Sequence, residues 1–361
     1  MEERNYWLCF SMVPGIGPKS LDLLARNFAS LRKAWNASES ELLSILKPAL
    51  TSKFLKFREE LDFEKFKKQL KKQKISFVSL IDNIYPKLLK QISNPPAVLY
   101  AKGDTTLLNS PSIAVVGTRR ITHYGREITE MFARDLSGSG LTIVSGMAFG
   151  VDGVAHKAAI DANGKTIAVL GNGVDLAYPK ENEKLYEEIL DSGGLIISEY
   201  SPGTPPNNGT FPARNRIVAG ISEGVLVTEG AEDSGSLITA NFGLEFGRKV
   251  FAVPGPITSQ LSKAPLDLIE KGARLVTSAD QILKELKISS FAKASKDKQG
   301  KIKGDTKEEK KILEVLENES LYFDEIVKKT GISSQILGST LSMMEVKGII
   351  KSAGGSYSLA A

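Results

Sequence analysis

The chain has 361 residues, of which 42% are hydrophobic and 25% are charged, and its formal net charge is +5. This length predicts two or three domains, and the composition is ordinary for a globular protein. The single cysteine, Cys9, excludes an internal disulfide and a thiolate metal cluster, and the dispersed His123 and His156 do not suggest a metal site, so we expect no metal and no cofactor. The amino terminus lacks the pattern of a secretory signal, and no apolar run approaches the ~18 residues of a membrane span. We therefore expect a cytoplasmic protein without membrane contact.

Residues 1–74 are predicted to form a small helical domain. Two short helices flank the turn Val13-Pro14-Gly15-Ile16-Gly17-Pro18, and glycines at that spacing are typical of a helix-hairpin-helix. The amides of such a turn can approach a DNA phosphate, but many hairpins of this kind only pack two helices together, and the sequence leaves both interpretations open. Further along, Phe63, Phe66 and Leu70 recur at helical spacing, which predicts one apolar face beside a solvated face of lysines.

Residues 75–286 alternate short apolar runs with helical patterns. Ala97 to Tyr100 is predicted as a short strand in a lead-in segment that adds to the edge of this domain. The other runs lack the alternation of half-exposed strands, so we predict strands buried on both faces: Ile113–Val116, Leu141–Val144, Thr166–Leu170, Leu195–Ile197, Val225–Val227, Val250–Val253 and Leu275–Val276. Repeated β–α units of this kind indicate an α/β fold with a doubly wound parallel sheet.

Ligands of such sheets bind beyond the carboxyl ends of the strands, so the loops at that edge form the candidate site. The loop from Ser145 to Gly153 follows a strand, is rich in glycine and leads into a helix, which is typical of a phosphate site built from backbone amides and a helix dipole. A glycine turn that only lets strand and helix pack closely is the alternative. Arg119, Arg214 and Arg216 supply cations among nearby carboxylates, so we expect phosphates to be held by amides and a few arginines. A G-x-G-x-x-G motif does not follow any predicted strand, which disfavours a hydride-transfer enzyme.

Longer motifs accompany these strand ends. They are Ala-Val-Val-Gly-Thr-Arg (114–119), Val-Ser-Gly-Met-Ala (144–148), Gly-Val-Asp-Gly-Val-Ala-His (150–156), Tyr-Pro-Lys-Glu-Asn (178–182), Leu-Ile-Ile-Ser-Glu-Tyr (195–200), Phe-Pro-Ala-Arg-Asn-Arg-Ile-Val-Ala-Gly (211–220), Ser-Gly-Ser-Leu-Ile-Thr-Ala (234–240) and Val-Phe-Ala-Val-Pro-Gly (250–255). From Ile75 to about Leu283 the chain resembles the DNA-processing protein A family, also called Smf. The resemblance implies an extended Rossmann-like domain that binds single-stranded DNA, in a homodimer that loads a RecA-type recombinase during natural transformation and recombination.

Carried over position by position, the resemblance implies a site for single-stranded DNA. Arg119 would hold a phosphate bidentately, and Phe211 would contact a base by stacking, which is worth roughly 1–3 kcal/mol per base. Core packing at a helix start is the other interpretation of Phe211, but its loop is rich in Pro and Asn, which favours exposure. The remaining positions would donate to phosphates or shape the pocket: Ser145, Gly146, Gly150 and Gly153 as donors, Arg214, Asn215 and Arg216 beside Phe211, and Ser234, Gly235 and Ser236 as a phosphate-facing turn, with Thr239 one helical turn later.

The chain departs from the family pattern at several positions. Asn207-Asn208 stand where a basic residue commonly precedes the Phe-Pro segment, and Phe149 occupies a site that is often Arg or Lys. Both changes remove charge beside the expected DNA track, so we expect weaker binding or more reliance on stacking. Ala264 and Leu266 replace a usual Gly and Asn, which leaves the details of that loop open.

Residues 287–305 are rich in Lys, Ser, Gly and Asp and are predicted to be a flexible linker. Residues 306–361 are predicted to form a winged-helix domain similar to the one that many family members carry. Its elements are a helix at Lys310–Leu316, a helix-turn-helix from Phe323–Thr330 to Ser334–Val346, and a two-stranded wing at Ile349–Leu359. Lys347 is the only cation near the second of these helices, which favours a protein contact over recognition of duplex DNA.

Two other functions remain alternatives to DNA binding. The same fold superfamily includes nucleotide phosphoribohydrolases, whose catalytic Glu corresponds in position to Thr239 here. Because that reaction needs a carboxylate, we expect that this chain lacks this activity and is not an enzyme. The second alternative is a sensor that binds a nucleotide-derived ligand in the same loops. Dimerisation is expected through the Ala240–Arg248 helix and the segment near Leu266–Ile269, whereas the sequence does not predict the surface that contacts the recombinase.

Overall fold

The computed structural model describes residues 1–288, 306–316, 320–347, 349–353 and 355–359. The chain divides into two units, Met1–Phe291 and Ala292–Ala361. Of the predicted linker, only Lys287 and Ile288 are among the described residues, and the rest of that prediction lies outside them.

The first unit begins with helices, as the sequence predicts. They are α1 (Glu3–Ser11), α2 (Pro18–Phe28), α3 (Leu31–Trp35), α4 (Glu39–Leu43), α5 (Pro48–Glu60) and α6 (Phe63–Lys72). The turn between α1 and α2 buries Ile16 and holds Gly15 at a φ of +97°, a conformation that glycine adopts without strain. Contact of this turn with DNA stays a prediction.

The predicted α/β alternation follows. Two strands come before it: one at Ser76–Ser79, which was not predicted, and one at Val98–Gly103, which corresponds to the strand predicted at Ala97 to Tyr100. The strands are β1 (Ser76–Ser79), β2 (Val98–Gly103), β3 (Ser112–Val116), β4 (Thr142–Ser145), β5 (Thr166–Val169), β6 (Leu195–Ser198), β7 (Gly224–Val227), β8 (Lys249–Ala252) and β9 (Arg274–Leu275). The helices between and after them are α7 (His123–Gly138), α8 (Val151–Asp161), α9 (Glu183–Asp191), α10 (Thr210–Ile221), α11 (Gly235–Glu245), α12 (Lys263–Glu270) and α13 (Ala279–Glu285).

These strands form one nine-stranded sheet in the order β1-β2-β6-β5-β4-β3-β7-β8-β9. The seven strands from β6 to β9 in this order run parallel to one another, which confirms the doubly wound core. In contrast, β1 and β2 pair antiparallel and extend the sheet beyond β6. The lead-in segment therefore adds to the edge, as predicted, but it makes the sheet mixed and not purely parallel.

Helices cover both faces of the sheet because successive side chains of each strand point to opposite sides. On β3, Ile113 and Val115 pack with Phe132 and Leu136 of α7. Their neighbours Ala114 and Val116 pack on the other face with residues of α10 and α11. The strands are thus buried on both sides, as the unbroken apolar runs indicate.

The amino-terminal helices share a core with the sheet. Phe10 and Phe54 stack with ring centroids 4.8 Å apart, and Trp35 meets Phe10 edge-on at 5.2 Å. The same apolar cluster continues to Val174 and to Tyr186 of α9. Residues 1–74 therefore pack against the α9 side of the sheet within the first unit.

The second unit is built from α14 (Lys307–Leu316), β10 (Leu321–Tyr322), α15 (Phe323–Thr330), α16 (Ser334–Val346), β11 (Ile350–Ala353) and β12 (Ser356–Leu359). β11 and β12 pair antiparallel as the predicted wing, and β10 joins the outer side of β12. A left-handed Gly331 ends α15, where a glycine commonly closes a helix.

Candidate nucleic-acid interface

A crevice of about 620 Å³ opens at the carboxyl ends of β3, β4 and β7. β3 connects forward to β4 on one side, whereas β7, which returns through α10, pairs with β3 on the other side. The crevice therefore lies at the point where the strand order reverses, which is where open α/β sheets bind ligands. Both α10 and α11 begin at this edge, so their amino-terminal ends lie beside the crevice.

Most of the predicted site residues meet in this crevice. It is lined by Arg119, Gly146, Phe211, Arg214, Asn215, Ser234, Gly235, Ser236 and Thr239, together with Thr118 and Arg120, which were not predicted as site residues, and Asn208, which was expected beside the DNA track. Ser145, Gly150, Gly153 and Arg216 lie outside the lining.

The loop that carries Arg119 is fixed by Glu229. The buried Glu229 carboxylate accepts hydrogen bonds from the Thr122 amide at 2.9 Å and the Thr122 hydroxyl at 2.6 Å. The Glu229 backbone carbonyl accepts from the Thr118 amide at 2.8 Å. Between these anchors Arg119 and Arg120 are exposed, so their guanidinium groups face solvent from a held backbone.

Phe211 lies in the first turn of α10 and is half-buried. Its ring packs over Gly171, where a Cβ atom would lie 2.8 Å from the Phe211 Cδ1. The Arg119 guanidinium lies 5.8 Å from the ring centroid, within reach of a cation–π interaction. Phe211 thus combines the two alternatives, since one part of the ring packs on the protein and another part borders the crevice.

Tyr178 is a neighbour of this ring to which the sequence assigned no role. Its ring stacks on Phe211 with centroids 5.4 Å apart and an angle of 21° between planes. The side chain is 42% exposed. An aromatic residue in a strand-end loop was the available signal, but periodicity cannot show which rings of such loops meet. Tyr178 lies outside the crevice lining and is connected to it by the stack on Phe211, and we call Arg119, Arg120, Phe211 and Tyr178 the crevice rim.

Three of the predicted donors of the Ser145–Gly153 loop are hydrogen-bonded within the protein, and the contact of this loop with DNA stays a prediction. The buried Ser145 hydroxyl donates to the Val115 carbonyl at 2.7 Å. The Gly146 amide donates to the Asp152 carboxylate at 3.1 Å. The Gly153 amide donates to the Ala148 carbonyl at 3.1 Å. A carboxylate from the chain itself therefore occupies the position that the glycine pattern assigned to a phosphate.

Gly150 lies close against the loop that carries Arg119. Its φ is +73°, and a Cβ atom there would collide with the Thr118 carbonyl oxygen. Only glycine adopts this conformation readily and also allows the approach. The position therefore requires glycine for close packing, and donation by its amide to a phosphate stays a prediction.

Asp152 stays buried beside a guanidinium. Burial raises the pKa of its carboxyl above the ordinary value, and the Arg214 charge and the amides of Ala148 and Gly146 lower it in part. Two amide donors and a nearby cation are the interactions that a buried carboxylate needs.

Arg214 and Arg216 are buried cations with partners inside the protein, and Arg214 also lines the crevice, so their role in shaping the DNA pocket stays a prediction. Arg214 is 4% exposed, and its Nη1 donates to the Gly146 carbonyl at 2.6 Å and to the Val169 carbonyl. Burial lowers the pKa of Arg214, although a guanidinium stays protonated in proteins.

Arg216 is 7% exposed and pairs with Glu199 through two hydrogen bonds of 2.7 Å. Such a bidentate pair satisfies both ions in the same plane. We call Asp152, Glu199, Arg214 and Arg216 the buried charge cluster.

The predicted serine turn starts α11 at the crevice. Ser234 caps the helix, with its hydroxyl accepting from the Ser236 amide at 3.3 Å. The Asn215 side chain donates to the Gly235 carbonyl at 3.3 Å, which links α10 to this turn. Thr239 is buried one helical turn further on and forms part of the crevice lining. The amino-terminal end of α11 adds a positive dipole to the crevice.

Two features of other protein classes are missing from the described residues. They contain no group of three or more His, Cys, Asp or Glu side chains that could hold a metal ion. Across the same ranges, no helix is both long enough and apolar enough to span a bilayer.

Comparison with known proteins connects this crevice to one family. The model of DNA recombination-mediator protein A matches residues 76–287, and the model of the DprA winged helix domain matches residues 296–356. Protein Smf of Synechocystis sp. is 41% identical over 290 residues, which cover 79% of this chain and 73% of the relative. DNA processing protein DprA of Bacillus subtilis is 44% identical over 217 residues, which cover 60% of this chain and 73% of the relative.

Solved structures agree with this relationship. The X-ray structure of DprA from Streptococcus pneumoniae is 37% identical with a TM-score of 0.70, and the match covers 78% of this chain and 97% of that one. A structure reported for the single-stranded DNA binding mode of DprA from Helicobacter pylori is 34% identical with a TM-score of 0.53, covering 59% of this chain and 95% of that one. The two family models match the α/β domain with its crevice and the winged helix, and the chain belongs to the DNA recombination-mediator protein A (DprA) family.

Proposed function

We propose that this chain is a cytoplasmic protein that binds and protects single-stranded DNA in the crevice, without catalysis, and loads a RecA-type recombinase onto it. The observation that carries the proposal is Arg119, which is exposed on an anchored loop at the crevice with its guanidinium 5.8 Å from the Phe211 ring. A DprA relative studied for its single-stranded DNA binding mode supports the same ligand.

The chemistry of the crevice suits an unpaired strand. A guanidinium binds phosphate oxygens in a planar, bidentate geometry, and an aromatic ring beside it accepts the face of any base. The amino-terminal end of α11 at Gly235 gives a second positive region for a neighbouring phosphate. These contacts recognise the backbone and the base plane, so binding is expected with little sequence preference and with strong salt dependence.

The crevice supports binding over glycosidic hydrolysis. Thr239 stands where the related hydrolases place a catalytic Glu, and it is buried. Hydrolysis of a glycosidic bond needs a carboxylate to stabilise the cationic transition state or to activate water. Incubation with nucleoside monophosphates should release no free base, and thermal-shift screening should show a larger stabilisation by short oligonucleotides than by any mononucleotide.

The test is a fluorescence anisotropy titration with single- and double-stranded oligonucleotides at two salt concentrations. Arg119→Ala should weaken single-strand binding about 10-fold or more, and the double variant with Phe211→Ala about 100-fold or more. Arg134→Ala is the matched control, since Arg134 is an exposed arginine near the far end of α7. If the double variant binds as tightly as the Arg134→Ala variant, the crevice is not the DNA site.

A homodimer is proposed through the α11–α12 side of the sheet. A cavity of about 650 Å³ there is lined by Leu244, Ile269 and Leu275, and the short edge strand β9 borders it. Leu244 is 46% exposed, and exposed leucines around an open sheet edge favour pairing with a second copy.

Leu244→Glu should convert the dimer to a monomer in light scattering. Leu23→Glu, at a leucine of α2 that is 48% exposed, should leave the mass unchanged. Loading is tested separately, by recombinase filament formation on single-stranded DNA coated with a single-strand-binding protein, with and without this chain.

The winged helix is proposed to contact protein and not duplex DNA. The Lys347 ammonium at the end of α16 lies 2.9 Å from Glu309, so its charge is balanced within the unit. The same helix exposes Ile336, Met343 and Val346. Apolar side chains on that face favour a protein surface over phosphates and base edges. Lys347→Ala should leave binding to duplex oligonucleotides unchanged.

A further inference from the structure

We infer that Tyr178 is a second base-stacking ring of the crevice, so that a base of the bound strand lies against its exposed face. This inference rests on the proposed binding of single-stranded DNA and deepens it. It assigns a ligand-contacting role to a residue outside the Arg119 and Phe211 pair that defines the proposed site.

The neighbours of Phe211 occupy much of its ring surface. The ring lies over Gly171, faces the Arg119 guanidinium at 5.8 Å, and stacks with Tyr178 at 5.4 Å. Phe211 itself is only half-buried, but three sets of protein atoms already contact it. A base that approaches this cluster from solvent therefore meets the outer ring of the stack as well, and that ring is Tyr178, which is 42% exposed.

The loop that carries Tyr178 is held on both sides. Before it, the Asn172 side chain donates to the Leu176 carbonyl at 2.7 Å. After it, the Asn182 side chain donates to the Met147 carbonyl at 2.9 Å. These bonds fix the loop to the strand ends around the crevice, so the ring is positioned before a ligand arrives. A pre-positioned aromatic ring loses little conformational entropy on binding, which is why such rings make effective contact surfaces.

The surroundings of Tyr178 select a nucleic acid among the ligands that aromatic rings attract. An exposed guanidinium lies on the same rim as two stacked rings, so the rim offers cationic and stacking contacts side by side. A single strand presents phosphates and base faces that can use both kinds of contact. Extending the stack from Phe211 to Tyr178 lengthens the contact from one base to two. The added stacking energy partly offsets the electrostatic attraction that the uncharged Asn207 and Asn208 do not supply.

The test compares Tyr178→Leu, which keeps apolar bulk without a ring, with Tyr178→Phe, which keeps the ring. Each is titrated by anisotropy with an oligothymidylate and with an oligonucleotide of the same length whose central positions are abasic. Tyr178→Leu should weaken binding to the base-bearing strand by about 5- to 150-fold and leave abasic binding close to that of the parent chain. Tyr178→Phe should retain the parent affinity for both strands. Thermal unfolding of each variant checks that the fold is intact.

The outcomes separate this inference from the proposed function. If Tyr178→Leu binds the base-bearing strand as the parent chain does, while Arg119→Ala loses affinity, single-strand binding stands and the role of Tyr178 is overturned. That role is overturned as well if Tyr178→Leu weakens both strands by one factor, because such a loss would be a structural effect on the crevice. If the parent chain binds neither strand, the proposed function fails and this inference fails with it.

Discussion

The arginines of the crevice rim and those of the buried charge cluster both lie in loops or helix starts at the strand ends, yet they differ in exposure and in their partners. Arg119 is exposed on a loop that other residues hold, and its guanidinium faces solvent beside an aromatic ring. Arg214 and Arg216 are buried, and their donors are satisfied by Gly146, Val169 and Glu199. The comparison shows that a cation in one motif can build the wall of a crevice while the cation of another motif stays exposed at its rim.

Removing one arginine from each region should give the largest difference in stability between them. Arg216→Ala should lower the free energy of unfolding by about 2–3 kcal/mol, because it leaves the partly buried Glu199 carboxylate without its partner. Arg119→Ala should change it by about 0.5 kcal/mol or less, since that side chain is exposed. Urea unfolding followed by far-UV circular dichroism measures both. Equal losses of stability in the two variants would remove the distinction between rim and cluster.

A second substitution couples the two regions through the backbone. Gly150→Ala should lower the free energy of unfolding by about 1–3 kcal/mol, because φ is +73° and the new Cβ would collide with the Thr118 carbonyl next to Arg119. It should also weaken DNA binding by shifting the Arg119 loop. Gly138→Ala at the end of α7 is the matched control, since its Cβ would meet no atom of the described residues within 4 Å. Parent-like stability and affinity of Gly150→Ala would show that the loop tolerates the approach.

These contacts explain why the fold was more predictable than the site. Unbroken apolar runs such as Ile113–Val116 predict buried parallel strands, because burial on both faces is a property of the run itself. The short β1 was not predicted, since Ser76–Ser79 carries no such run and becomes a strand through pairing with β2. Secondary structure that depends on a distant partner has a weak local signal.

The site was predictable in location but only partly in roles. The rule for open α/β sheets places the crevice, and the exposed Arg119 follows from its loop position. The sequence could not show that Asp152 would bind the Gly146 amide, because a carboxylate in a helix first turn and a phosphate are equivalent partners for that amide. The stack of Tyr178 on Phe211 joins residues from two separate loops, and no spacing rule relates them.

The buried charge cluster has a further neighbour whose titration can be followed. His156 is buried, and its Nδ1 lies 2.6 Å from the Thr166 hydroxyl, which itself donates to the Ile143 carbonyl, so Nδ1 is the donor. Burial, with a contribution from the Arg214 charge, lowers the pKa of His156 from 6.5 to about 3. The unfolded chain therefore binds one more proton than the folded chain between these values, and stability should fall as pH decreases through this window.

His156→Gln isolates this contribution. Glutamine can donate to Thr166 without taking up a proton, so the variant should lose the part of the slope that His156 causes, about 1.4 kcal/mol per pH unit below pH 6.5. The parent chain and the variant are compared by urea unfolding at neutral pH and at two acidic pH values within the window. Parallel profiles for the parent chain and His156→Gln would mean that the imidazole is protonated in the folded state.

The smallest expected effect sharpens the comparison within the crevice rim. Arg120 lines the crevice beside Arg119 and is exposed, but within the described part of the chain no aromatic ring faces its guanidinium as Phe211 faces that of Arg119. Arg120→Ala should leave stability unchanged and weaken single-strand binding a few-fold. If Arg120 neutralises one phosphate, the slope of log affinity against log salt should become less negative by about 0.7. An unchanged slope would place Arg120 outside the DNA track. A loss of affinity equal to that of Arg119→Ala would show that the charge of the arginine, without an aromatic neighbour, determines the affinity for the strand.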